Sequence, residues 1–182
     1  IQRLTAASVK VWLGHSNASA EQVQQALAAG AQGFTHLYNA MSPLTSREPG
    51  MVGVALTDSQ SWCGVILDGL HLHPLAAKLA VLAKPRGKVL LVTDAMTPVG
   101  TDETEFDFFA GKVTRDGNKL TDSSGALAGS VLDMAAAVRY AVNTLELELA
   151  ESLRMAALYP AQALGLLDRG QAQPGYLADL VQ

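Results

Sequence analysis

Four times along this chain a short apolar segment ends in a polar, chemistry-bearing residue and then gives way to a loop or a helical pattern. Residues 9–13 run into Gly-His15, and a second apolar segment ends near His36. Residues 62–68 lead into Asp68-Gly-Leu-His71, and 88–94 carry Val-Leu-Leu-Val into Thr-Asp94. Between them lie helical signals. Ser19-Ala-Glu-Gln22 has the form of a capping box opening an Ala/Gln/Leu-rich helix that stops at Gly30, and Pro74 stands where a first helical residue is expected. Short strands alternating with helices predict βα units, whose strands run parallel because each crossover returns the chain to the same end of the sheet.

The position of the polar residues narrows this further. His15, His36, the Asp68–His71 group and Asp94 each fall at the C-terminal end of a strand, the place where (β/α)₈ barrels keep their active sites. An open doubly wound sheet alternates in the same way. Its nucleotide-binding forms, however, need a G-x-G-x-x-G turn or a phosphate loop ending in Gly-Lys-Ser/Thr, and neither is present. A whole barrel takes about 250 residues, so the 182 here predict a partial one. The expected class is α/β: the C-terminal part of a (β/α)₈ TIM-like barrel.

After Asp94 the pattern changes. Residues 106–109 and 112–115 predict a hairpin, with Asp116-Gly117-Asn118 marking a further turn. Helical spacing returns over 131–143, 149–157 and 161–166, and the tail 173–181 predicts a turn feeding one last strand. Two regions are expected: a partial barrel over 1–170 and, over 171–182, a turn with its closing strand, which in the family named by the motifs would begin a return to a small β domain.

Composition excludes several functions. With 49% hydrophobic and 16% charged residues the chain is of globular type, and a net charge of −4 without a Lys/Arg cluster argues against nucleic acid. Cys63 is the single cysteine, so no internal disulfide forms and a reducing, cytoplasmic setting is expected. No apolar run approaches the roughly 18 residues that span a bilayer, so no membrane association is expected.

The strand-end residues admit specific chemistry. His15 and His36, at equivalent places in consecutive βα units, can offer two imidazole nitrogens to one divalent cation, or can be hydrogen-bonded structural residues. Asp94 can serve as a general base, or as an N-cap for the next segment. Arg47, in the polar loop 38–50, can clamp a phosphate or simply form a surface ion pair with Glu48 or another acid. His71 can touch a ligand or merely precede the next helix. Leu127-Ala-Gly-Ser130 can present backbone N–H groups to a ligand, or form a flexible turn with Ser130 as an N-cap.

Six segments, Gly14-His-Ser-Asn-Ala18, Thr35-His-Leu-Tyr-Asn-Ala-Met41, Arg47-Glu-Pro-Gly50, Asp68-Gly-Leu-His71, Val92-Thr-Asp-Ala95 and Leu127-Ala-Gly-Ser130, occur in one order with characteristic separations. Together with Ala156-Ala-Leu-Tyr-Pro-Ala161 and Gly175-Tyr-Leu-Ala-Asp-Leu180, they resemble the N-acetylglucosamine-6-phosphate deacetylases, metal-dependent amidohydrolases. The resemblance implies that His15 and His36 are metal ligands and that Asp94 is the catalytic aspartate. It places Asn39, Ala40, Arg47 and His71 against the sugar phosphate, with the backbone of Leu127, Ala128 and Gly129 lining the sugar site. It also implies one divalent metal ion (zinc, with iron, cobalt or manganese as alternatives), an amino-sugar phosphate substrate, and a homodimer in which Arg47 can serve the neighbouring subunit. In that family a glutamate ligand and a further histidine lie upstream of the segments matched here. The expectation is therefore a C-terminal half that needs an upstream segment to be active. A barrel amidohydrolase acting on another amide or ureide, and a non-catalytic half-barrel, remain as alternatives.

Overall fold

The computed structural model describes residues 1–109 and 111–179. A short helix that the sequence pattern does not announce, α1 (Gln2–Ala6), precedes β1 (Trp12–Leu13). The strand expected over 9–13 is thus cut to its last two residues and is only half-buried. Its physical cause is position: β1 pairs only with β2, so its outer side has no ladder among the described residues to extend it.

Helix α2 (Ala20–Ala28) opens on the predicted capping box, with the Ser19 hydroxyl accepting from the Gln22 N–H and the Gln22 side chain accepting from the Ser19 N–H. Strand β2 (Gly33–Phe34) comes next, and the loop after it closes into α3 (Gly50–Thr57). The sequence pattern gives no sign of α3, and the reason is plain in its burial. All seven residues from Gly50 to Leu56 are buried, so the helix has no polar face to mark a 3.6-residue period.

Strand β3 (Trp62–Val65), helix α4 (Pro74–Ala83) and strand β4 (Val89–Leu91) complete the first sheet, which is parallel throughout in the order β1-β2-β3-β4. Pro74 takes the first position of α4 as expected, where its missing N–H costs nothing, and His73 Nδ1 accepts from the Leu75 N–H. Strands β3 and β4 are almost wholly buried, and helices pack on them to form the main core around Phe34, Leu37, Ile66, Leu67 and Leu91.

The predicted hairpin is half of a four-stranded antiparallel meander: β5 (Glu105–Phe108), β6 (Gly111–Asp116), β7 (Lys119–Asp122) and β8 (Leu127–Ser130). It buries a small core of its own, Phe106, Val113 and Leu120. Residues 127–130 are therefore a strand and not a flexible turn. Ser130 is no N-cap: Asp133 caps α5 (Met134–Asn143), its carboxylate accepting from the Ala136 N–H at 2.7 Å. The Ser130 hydroxyl instead donates to Thr93 O and accepts from the Leu132 N–H.

Helices α6 (Leu149–Ala156) and α7 (Leu158–Leu164) complete the described elements. Pro160 is tolerated in the first turn of α7, where N–H groups have no intrahelical partner. Residues 171–179 form a turn at Pro174–Gly175 and no strand. The remainder of the expected last strand, 180–182, lies outside the described residues. Among the described residues no helix is long and apolar enough to cross a membrane.

Candidate active site

The parallel strands all point the same way, so the residues just beyond their C-terminal ends gather at one end of the sheet. There they line a cavity of about 620 Å³. His15, His36, Asn39, Ala40, His71, Asp94, Leu127, Ala128 and Gly129 all reach it, so nine of the ten residues singled out from sequence come together. Arg47 does not. It is exposed, and among the described residues it forms no ion pair. The expected alternative, an Arg47–Glu48 pair, is also absent. The Glu48 carboxylate instead accepts from the Ala20 N–H at 2.8 Å and the Gly50 N–H at 2.9 Å, which hold it below the usual carboxylate range.

The two histidines meet. His15 Nε2 lies 2.8 Å from His36 Nε2, with the rings edge-to-face at 78°. His36 Nδ1 is 3.2 Å from the Asn39 carbonyl, an acceptor only, so Nδ1 carries the proton and Nε2 presents a lone pair. A ring nitrogen tied to a backbone carbonyl while its opposite nitrogen faces a partner is the arrangement that orients metal-binding histidines. Two ligand nitrogens in a tetrahedral site stand about 3.3 Å apart for metal–nitrogen bonds of about 2.0–2.1 Å. A small outward rotation of either ring therefore gives the pair cation-binding geometry. Among the described residues no group of three or more His, Cys, Asp or Glu side chains is gathered closely enough to hold a metal.

Of the eight described non-glycine residues at positive φ, five line this cavity. His15 (φ 47°), His36 (φ 22°) and Asp94 (φ 53°) all have positive φ, as does Ala40 (φ 49°). Non-glycine residues rarely adopt it, and such strain persists where surrounding structure imposes it, often at functional sites. For Asp94 the imposing element is β8. The Ser130 N–H donates to Asp94 O at 2.8 Å, and the Met96 N–H donates to Ser130 O at 2.9 Å. The meander is thus pinned to the end of the parallel sheet at the candidate base. Gly129 makes the close approach possible. At φ 69°, a Cβ there would sit 2.4 Å from Met96 Cγ and 2.9 Å from Asp94 O. Asp94 does not cap a helix, and its carboxylate forms no hydrogen bond within the protein among the described residues. It is exposed to the cavity.

Behind His71, which lines the cavity, Asp68 pairs with it at 2.6 Å between Oδ2 and Nδ1, each side chain only 6% exposed. Burial opposes the charge on Asp68. Hydrogen bonds from the His71 ring and from the His71 and Leu70 backbone outweigh it and hold the carboxyl below its ordinary range.

Sequence reasoning misses the apolar wall. Met96, Phe108 and Phe109 also line the cavity. Phe109 is 95% exposed, at the tip of the β5–β6 hairpin, and it stacks edge-to-face on Phe108 with centroids 4.4 Å apart. Two adjacent aromatics in a two-sided strand are the signal that could have found it, since one of them has to point away from the meander's own core.

Residues 4–182 match the amidohydrolase family. The chain belongs to that family. It is 54% identical over 181 residues to an N-acetylgalactosamine-6-phosphate deacetylase of Shewanella sp. (strain ANA-3), covering 100% of this chain and 46% of that amidohydrolase. Among solved structures, the N-acetylglucosamine-6-phosphate deacetylase of Pasteurella multocida superposes with a TM-score of 0.95 at 37% identity, covering 98% of this chain and 47% of that one. A Mycobacterium smegmatis N-acetyl-D-glucosamine-6-phosphate deacetylase, solved as a point mutant in complex with N-acetyl-D-glucosamine-6-phosphate, gives 0.89 at 31% identity, with 96% and 47% covered. The chain spans about half the length of these amidohydrolases.

Proposed function

We propose that this chain carries the deacetylating half of an amino-sugar-phosphate deacetylase, which hydrolyses the acetamido group of N-acetylglucosamine 6-phosphate to glucosamine 6-phosphate and acetate. The observation that supports this best is the convergence of His15, His36 and Asp94, all at positive φ, on one cavity at the strand ends. The galactosamine epimer stands beside it as a substrate, because the 54%-identical relative bears that name. In this reading the parallel strands and their helices are the C-terminal part of a (β/α)₈ barrel over 1–170, and 171–182 begin the return to a small β domain.

The amidohydrolase family is generally metal-dependent. His15 Nε2 and His36 Nε2 are the atoms suited to hold one divalent ion, zinc or else iron, cobalt or manganese, with an upstream segment completing the site. Such an ion supplies Lewis acidity toward an amide carbonyl and acidifies a water. Asp94, with its carboxylate free of internal hydrogen bonds, takes the proton of the attacking water and returns it to the departing amine nitrogen. Asn39 and Ala40, His71 and the backbone of 127–129 hold the sugar phosphate so that the acetamido group meets Asp94 in register. Arg47, outside the cavity of its own chain, fits a phosphate contact in the site of a second copy within a homodimer. The cytoplasm, where sugar phosphates are retained, is the matching location.

Zinc titration of the chain tests the ligand assignment without turnover. About one equivalent is expected, weakened at least tenfold by His15→Ala or His36→Ala. Undiminished stoichiometric binding in the double variant contradicts it.

A further inference from the structure

We propose that Asp68 is a positioning residue: it locks the His71 ring with the proton on Nδ1, so that Nε2 is the atom His71 presents to a ligand in the cavity. The inference rests on the proposed reading of the cavity only for the identity of that ligand.

The geometry is specific down to the atom. Asp68 Oδ1 accepts two backbone N–H groups, from Leu70 and from His71, both at 2.9 Å. Those two bonds close the Asp-Gly-Leu-His turn. Gly69, at φ 77°, is packed against the Tyr140 ring, where a Cβ would lie 3.2 Å from Cε2. Asp68 Oδ2 is left over, and it meets His71 Nδ1 at 2.6 Å. An ionised carboxylate only accepts hydrogen bonds, so the nitrogen facing it must be the donor. Both side chains are nearly buried, so water does not compete for either atom. With Nδ1 committed, Nε2 is the only ring atom of His71 free to meet a ligand, and His71 lines the cavity together with His15, His36 and Asp94. The two carboxylate oxygens thus have separate tasks: one builds the turn, the other sets the ring.

That division supplies a clean test. Asp68→Asn can keep its carbonyl oxygen in the place of Oδ1, preserving the turn, while its amide nitrogen replaces Oδ2. An NH₂ group facing Nδ1 forces that nitrogen to accept, which moves the ring proton to Nε2. The tautomer is read directly from the ¹⁵N shifts of the His71 ring in this chain. The expected result is Nδ1–H in the wild type and Nε2–H in Asp68→Asn, with an otherwise unchanged backbone spectrum. In the chain completed by the N-terminal half of the Shewanella relative, titration with N-acetylglucosamine 6-phosphate, followed at the His71 ring, is expected to show at least tenfold weaker binding in the variant. Asp68→Ala, which loses both tasks, should also disturb the Leu70 and His71 amide signals.

A wild-type ring with its proton on Nε2 and none on Nδ1 overturns the proposal, as does an unchanged tautomer in a folded Asp68→Asn chain. A flipped tautomer with unaltered sugar-phosphate affinity overturns the presentation of Nε2 to the ligand. If the wild-type ring is Nδ1–H and flips as expected, but no N-acetylated sugar phosphate binds to the chain completed upstream, the positioning role stands and the substrate assignment fails.

Discussion

Lys84 offers the sharpest test of what holds the parallel sheet in place. The residue is only 4% exposed, at the end of α4. Its ammonium donates to Ala55 O at 3.0 Å, to Asp58 O, and to Ser61 Oγ at 3.2 Å. Ala55 and Asp58 lie at the C-terminal end of α3, where carbonyls lack intrahelical donors and a cation is favoured. Burial pushes the Lys84 pKa below its ordinary value, opposed by the nearby Cys63 and Asp58. The charge is held there by its partners.

Lys84→Met keeps the apolar stem and removes the donor. Asp58 O then has no other donor among the described residues, and the Ser61 hydroxyl loses the ammonium that donates to it. Each buried group so orphaned costs about 1–3 kcal/mol, while removing the ammonium relieves its own desolvation. The net loss should be about 2–4 kcal/mol, measured by urea unfolding with an unchanged m-value. In a chain of this size that corresponds to a fall in Tm of roughly 4–16 °C. All three contacts lie before β3 and β4 begin, at the end of the sheet opposite the cavity. Zinc binding by the folded variant should therefore be unaltered. A loss below about 0.5 kcal/mol would falsify the claim that Nζ is a buried donor to α3. An unchanged stability coupled to weakened zinc binding would place its role at the wrong end of the sheet.

Three further predictions rest on single contacts. Burial pushes the Cys63 thiol up to about 11. The folded state therefore keeps a proton that the unfolded chain loses from about pH 9, and stability should fall by about 1.4 kcal/mol per pH unit between roughly pH 9 and 11, with Cys63→Ala flattening that slope in urea titrations. Gly129→Ala places a methyl against Met96 and Asp94 O at a backbone angle alanine resists, so it should lower turnover at least tenfold while zinc is still bound; a rate within twofold of wild type contradicts the clamp of β8 on Asp94. Asp94→Asn should abolish acetate release while leaving metal affinity intact, and near-normal rates in that variant would remove Asp94 as the base.

How much of this is legible in the sequence depends on the range of the interaction. Local signals carry through: the Ser19 capping box, Pro74 at the start of α4 and the Asp116-Gly117-Asn118 turn all have their physics within a few residues. The cavity end of the sheet is legible because polar residues at strand ends break an apolar pattern. α3 is not, because a helix buried on every side has no periodicity to read. Residues 127–130 have the letters of a turn because Gly129 and Ser130 are poor strand formers, and their pairing with β7 is decided by tertiary contact. The Nε2–Nε2 approach of His15 and His36 spans 21 residues, and the left-handed backbone at both is invisible in residue type alone. Asp68 stands out in sequence only as part of a motif; its two-task carboxylate depends on a turn geometry that four letters do not specify.

The central claim is tested most directly by acetate release. The chain, completed upstream by the N-terminal half of the Shewanella relative and supplied with zinc, should be assayed on N-acetylglucosamine 6-phosphate, its galactosamine epimer and unphosphorylated N-acetylglucosamine. Release from a phosphorylated sugar and not from the unphosphorylated one is the predicted result. No release from either phosphorylated sugar, with zinc bound and His15 and His36 shown to hold it, would contradict the assignment and leave a metal-binding amidohydrolase of another substrate.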